Sequence, residues 1–131
     1  MDICKKEGRH NFYIERGRDF ISEKLKEVGL YPNINGYGYI INAVGILVQY
    51  GKMNLIKVYA HMEKEHHINK NSIASSINYI IKKTYYKHCK QTYDELGFNE
   101  HRPPTVKELI FILYEKVVIY LSYLEKENET L

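Results

Sequence analysis

The chain has 131 residues, enough for one domain that buries its own core without a metal or a disulfide framework. Hydrophobic residues make up 44%, which excludes a compositionally disordered chain, and two cysteines, Cys4 and Cys89, are too few for a disulfide scaffold. Reduced thiols in a cytoplasmic protein are therefore expected. No apolar run approaches about 20 residues and none follows the first lysines, so neither a spanning helix nor a secretory leader is expected.

Residues 1–10 are polar and mixed in charge, and are expected to form a flexible tail. Residues 11–28 read as a first helix, with Ile14, Ile21, Leu25 and Val28 on one stripe and Glu15, Arg18, Glu23 and Lys26 outside it. Gly29 stands where a left-handed cap would end it. Pro32, Asn33 and Asn35 then supply turn chemistry. Residues 37–50 are nearly all apolar, and their length favours a core helix over a buried strand, with Ala43, Val44, Leu47 and Val48 inside. Gly38 and Gly45 weaken this helix by roughly 1 kcal/mol each, which another helix packed close at those points would explain. Gly36 and Gly38 do not make a phosphate loop, because the downstream lysine and third glycine are missing.

Gly51 breaks the chain, and residues 53–65 form a third helix with Leu55, Ile56, Tyr59, Ala60 and Met62 as its apolar members. A turn at residues 67–71 leads to a fourth helix, about 70–90, which either Asn69 or Asn71 can cap. Ile73, Ile77, Ile80, Ile81 and Thr84 fall on one of its sides. Ser72, Ser75, Ser76, Tyr79, Lys82 and Lys83 fall on the other. Residues 91–100 read as a short helix or turn stopped by Gly97, followed by a stiff Arg102-Pro103-Pro104 linker. Thr105 and Glu108 form a capping box that opens a last helix to about Leu124. Its apolar face (Leu109, Ile112, Leu113, Val117, Tyr120, Leu121, Leu124) is widened by Ile110, Phe111 and Val118, so it either sits deep or meets a partner. Residues 126–131 are expected to be a flexible tail.

The net charge is +3 but uneven. Residues 57–90 hold seven lysines against Glu63 and Glu65, a net of +5, whereas residues 91–131 hold four basic and eight acidic side chains, a net of −4. The positive potential thus lies on the third and fourth helices, as a polyanion-binding face requires. A helix that buries one side and shows hydroxyls, amides and lysines on the other is what a helix-turn-helix places in a DNA groove. Asn71, Ser72, Ser75, Asn78 and Tyr79 are the candidates for base edges, and Lys70, Lys82, Lys83 and Lys87 for phosphates. The expected architecture is all-α: a compact bundle of about six helices over residues 11–125, with a helix-turn-helix and a long C-terminal helix.

The order of motifs resembles the family of C-terminal DNA-binding domains of the stage-zero sporulation regulator A. Gly36-Tyr37-Gly38-Tyr39-Ile40 with Ala43-Val44 is similar to the family's glycine–tyrosine–any–tyrosine–leucine opening of its second helix. Val58-Tyr59 followed by Lys64 is similar to its leucine–tyrosine–proline scaffold helix, with Ala60 in place of proline. Ile73, Ile77 and Ile81 match its recognition-helix spine, and Pro104-Thr105 with Glu108 matches the opening of its last helix. The resemblance, from about Phe20 to Val118, implies a six-helix fold, binding to duplex DNA as tandem copies, and transcription control. The family carries arginines where Ser72, Ser75 and Asn78 stand, and a small alanine where Glu63 stands. Its receiver domain has no counterpart, so control by phosphorylation is not expected.

A second reading is a protein-interaction module that has lost specific DNA binding and pairs with itself or with a homologous regulator through the last helix, with Phe111, Tyr114 and Tyr120 at the interface. Catalysis is not expected. His61, Glu63 and His66 do not spell the paired-histidine zinc motif, and Cys89 lies at a helix C-terminus, where the dipole raises its pKa. No cofactor, metal or membrane contact is therefore assigned. In Tyr85-Tyr86 and the Tyr37/Tyr39 pair, one ring of each is expected in the core.

Overall fold

The computed structural model describes residues 3–27, 29–30, 35–88, 93–94, 96–98 and 101–130, with side chains described from Ile14 on except at 87–88 and 128–130. These residues form five helices and no strand: α1 (Ile3–Glu27), α2 (Asn35–Tyr50), α3 (Leu55–His66), α4 (Lys70–His88) and α5 (Val106–Thr130). The all-α expectation holds. The sixth, short element expected at 91–100 falls partly outside the described residues. Within it, Leu96 and Phe98 donate their amides to the Tyr93 carbonyl and Gly97 donates to Asp94, closing a turn.

Helix α1 starts at Ile3 rather than Asn11, and α5 runs to Thr130 rather than about Leu124. Lys5, Lys6, Glu7 and Arg9, like Glu125, Lys126 and Glu127, are good helix formers, and no proline interrupts either stretch. Ile21 and Leu25 are fully buried on α1. Its end is built on Gly29, at φ 92°: the Gly29 amide donates to Lys26 O at 3.0 Å and the Leu30 amide to Leu25 O at 2.9 Å, the paired bonds of a left-handed cap. Val28 and the Pro32–Asn33 turn lie outside the described residues.

Helix α2 is the hub and packs against all four other helices. Tyr37, Ile40, Ala43, Val44, Ile46 and Leu47 are buried along it, and the Tyr37 hydroxyl hydrogen-bonds Ser22 of α1. The close approach foreseen at Gly38 and Gly45 does not occur there: a Cβ at either would meet nothing within 4 Å. It occurs two residues before Gly38, at Gly36, where a Cβ would stand 2.7 Å from Ile80 Cδ1 and 2.8 Å from the Ser76 carbonyl oxygen of α4. The first turn of α2 therefore lies directly on the backbone of α4.

Helix α3 begins later than expected, because Asn54 caps it: its side chain accepts the Lys57 amide at 3.0 Å. Its inner face is set by Val58 and Met62, both fully buried, with Leu55 and Tyr59 half-buried beside them. Ile56 and Ala60, expected inside, point to solvent, since each lies out of phase with that 3–4 residue stripe. On α5 the capping box forms as expected: Glu108 N donates to Thr105 Oγ1 at 3.2 Å and Thr105 N to Glu108 Oε1 at 2.9 Å. Leu109, Ile110, Leu113 and Val117 are the buried part of its apolar face. No helix among the described residues is long and apolar enough to cross a membrane.

Candidate nucleic-acid interface

Helices α3 and α4 are joined by only three residues, His67, Ile68 and Asn69. The reversal happens at His67, whose φ of 55° is left-handed and whose amide closes on Glu63 O at 2.9 Å. Histidine tolerates this region better than most side chains. Asn69 rather than Asn71 is the cap of α4: its Oδ1 accepts the Asn71 amide at 2.8 Å and its carbonyl accepts the Ile73 amide at 3.1 Å. A second acceptor comes from α3. Glu63 Oε1 takes the Lys70 amide at 2.8 Å, so the opening turn of α4 is tied to the helix before it.

Helix α4 is then oriented by its apolar spine. Ile73, Ile77 and Ile81 are fully buried, with Ile80, Thr84 and Tyr85 nearly so. Burying the spine turns Asn71, Ser72, Ser75, Asn78, Tyr79, Lys82 and Lys83 to solvent, and Lys70, in line with the spine, is exposed as the first residue of the helix. The structure brings seven of these candidate residues onto one exposed side of one helix, with Lys70 at its N-terminal end. The side chain of Lys87, the ninth, lies outside the described residues, as do Lys90 and Cys89. Ser76 is only half-exposed, its turn being pressed against Gly36. Among the described residues α4 carries no carboxylate at all.

The Lys83 ammonium lies 5.8 Å from the centre of the Tyr79 ring, over its face, and Tyr79 is 63% exposed. Tyr86 continues the stripe one turn on at 75% exposure, edge-on to the buried Tyr85 ring. The spacing of Tyr79, Lys82, Lys83 and Tyr86 signals this alignment: Tyr85 is the ring of its pair that enters the core, and Tyr86 joins the exposed face as a member absent from the nine candidates. His66 and His67 are exposed at the turn. His61 instead stacks on Tyr50 at 4.9 Å, and no three His, Cys, Asp or Glu side chains converge among the described residues.

The last helix presents a different surface. Tyr120 is engaged within the chain, stacked on Phe20 at 4.5 Å, and the Phe111 ring lies under the Lys52 ammonium at 5.5 Å. Tyr114 lines a groove with Ile14, Val48 and Val118. The exposed apolar residues of α5 are Val118, Ile119 and Tyr123. A wider open groove of ≈ 770 Å³ lies between Lys52–Asn54 and the first half of α5, a site to which no sequence motif points.

No protein-family model, curated protein or solved structure matches this chain.

Proposed function

We propose that this protein binds duplex DNA through α3 and α4 acting as a helix-turn-helix, and that it regulates transcription. The observation that carries the reading is the outward side of α4: amides, hydroxyls and ammonium groups in one stripe, with no carboxylate on the helix to repel phosphate. The three-residue turn, doubly pinned by Glu63 and Asn69, holds α4 at a fixed angle to α3, as docking into a groove requires. The resemblance to the sporulation regulator's effector domains supports the same reading, with tandem copies of the chain on adjacent sites as the expected arrangement.

The stripe from Ser72 to Tyr86 is about 20 Å long at 1.5 Å per residue. Its N-terminal half is neutral and hydrogen-bonding, suited to base edges, and its C-terminal half is cationic, suited to phosphates. Fluorescence anisotropy on random duplex and on the family's recognition box, across a salt series, tests this. Replacing Lys82 and Lys83 by Ala is expected to weaken binding to all sequences alike and to lower the log–log salt slope by about two units. Absence of binding at low salt would defeat the reading.

A second reading, pairing with a homologous regulator through α5, draws support from the exposed Val118, Ile119 and Tyr123. Sedimentation of the chain alone, and of an Ile119→Glu variant, separates a self-association that depends on this face from a monomer.

A further inference from the structure

We propose that α4 reads A·T base pairs in the major groove, with Asn71 and Asn78 each addressing the N6/N7 edge of an adenine; this rests on the duplex-DNA reading above. The side chains on the exposed stripe limit what it can recognise. Guanine is read best by a guanidinium that pairs with O6 and N7 together. The only arginines of the chain are Arg9, Arg16, Arg18 and Arg102, so neither α3 nor α4 carries one. The lysines of α4 lie at its first residue and in the C-terminal half of the stripe, before and after the asparagines along the helix, where they are placed for phosphates. Between them stand two asparagines, both exposed, whose carboxamides offer the paired donor and acceptor that adenine complements.

Their spacing fits the duplex. Asn71 and Asn78 are two helical turns apart, so they share a face and lie about 10 Å apart along the axis. At roughly 3.4 Å per base pair that is three steps, with Ser72 and Ser75 between them able to donate or accept at either base. Tyr79, exposed beside Asn78, presents an apolar ring edge of the kind that packs on a thymine methyl. Hydroxyls tolerate any base and the asparagines do not, so the selectivity of the face is carried by Asn71 and Asn78.

The test is selection of bound sites from a randomised duplex pool by the intact chain, then anisotropy titration on the selected duplex with 7-deazaadenine replacing each adenine in turn. The expected site holds two A·T pairs about three steps apart, and each removed N7 weakens binding roughly tenfold. Asn78→Ala, an exposed position, is expected to make one of those replacements silent while leaving the salt slope unchanged. Salt-dependent binding without base preference, or a selected site built on G·C pairs, overturns the A·T assignment and leaves duplex binding standing. Failure to bind any duplex at low salt overturns both.

Discussion

The Glu63 carboxylate of α3 accepts the Lys70 backbone amide at 2.8 Å, across the turn that separates the two helices. One side chain thereby satisfies a free amide at the start of α4 and fixes the angle at which α4 leaves α3. It also puts a negative charge at the helix end where the backbone dipole favours an anion, the same end that a duplex would approach.

That double role can be separated by substitution. Glu63→Ala is expected to lower stability by about 1 kcal/mol in urea titrations, through the lost cap. Glu63→Gln keeps an acceptor oxygen and should retain most of that stability. On the DNA reading, Glu63→Gln also raises duplex affinity several-fold at low salt, because the charge facing phosphate is gone. An unchanged affinity would place Glu63 away from the bound duplex.

The glycines of α2 give opposite expectations within one helix. Gly36→Ala forces a methyl against Ile80 and the Ser76 carbonyl, and overpacking of that kind costs about 1–3 kcal/mol. Gly38→Ala and Gly45→Ala meet open space and should each stabilise by up to about 1 kcal/mol through helix propensity. Thermal melts of the three variants check the contrast. A stable Gly36→Ala protein would mean that α2 and α4 are not in contact at this turn.

The Glu108 carboxyl is held at about 2, well below its ordinary 4.5, chiefly by the Arg102 guanidinium and then by the Thr105 amide. The Arg102 pair is two-pronged, at 2.7 and 3.0 Å, and the guanidinium also lies over the Phe98 ring at 5.3 Å. A lowered carboxyl pKa favours the folded state above pH 4.5. The contribution declines as pH falls below 4.5 and is lost on passing about 2. Arg102→Ala should therefore reduce stability at pH 7 by about 1 kcal/mol or less, since the pair is partly open to water. The gap between the two proteins should narrow steadily from pH 4.5 towards 2, as read by denaturant midpoints.

Tyr93 is fully buried, and among the described residues its hydroxyl has no hydrogen bond of normal geometry, although Thr84 stands close enough to oppose the effect of burial. Burial pushes its pKa up to about 12. A raised tyrosine pKa gives stability that is complete below pH 10 and lost as pH rises towards 12. Tyr93→Phe should be neutral or stabilising at pH 7, because it removes an unpaired polar group from the core. It should also flatten the alkaline decline between pH 10 and 12. A loss of more than about 1 kcal/mol at neutral pH would show that the hydroxyl is hydrogen-bonded after all.

Much of the local structure is legible in the sequence because its causes are local. A glycine at the left-handed position after α1, the asparagine before α4, and the Thr105–Glu108 box act within a few residues of themselves. The isoleucine period of α4 likewise decided, without the fold, which residues face outward, and adjacent Tyr85 and Tyr86 had to point to different sides. What the chain contacts at a distance is another matter. Nothing near Gly36 says that it, rather than Gly38 or Gly45, is where α4 crosses, since that depends on how α2 lies across a helix some forty residues away. Nor does the sequence show that Glu63 reaches the amide of Lys70, because that bond exists only once the turn at His67 has brought the two helices together. Ile56 and Ile119 look like core residues by hydropathy and lie outside, because Val58 and Val117, two residues away, occupy the buried faces of their helices.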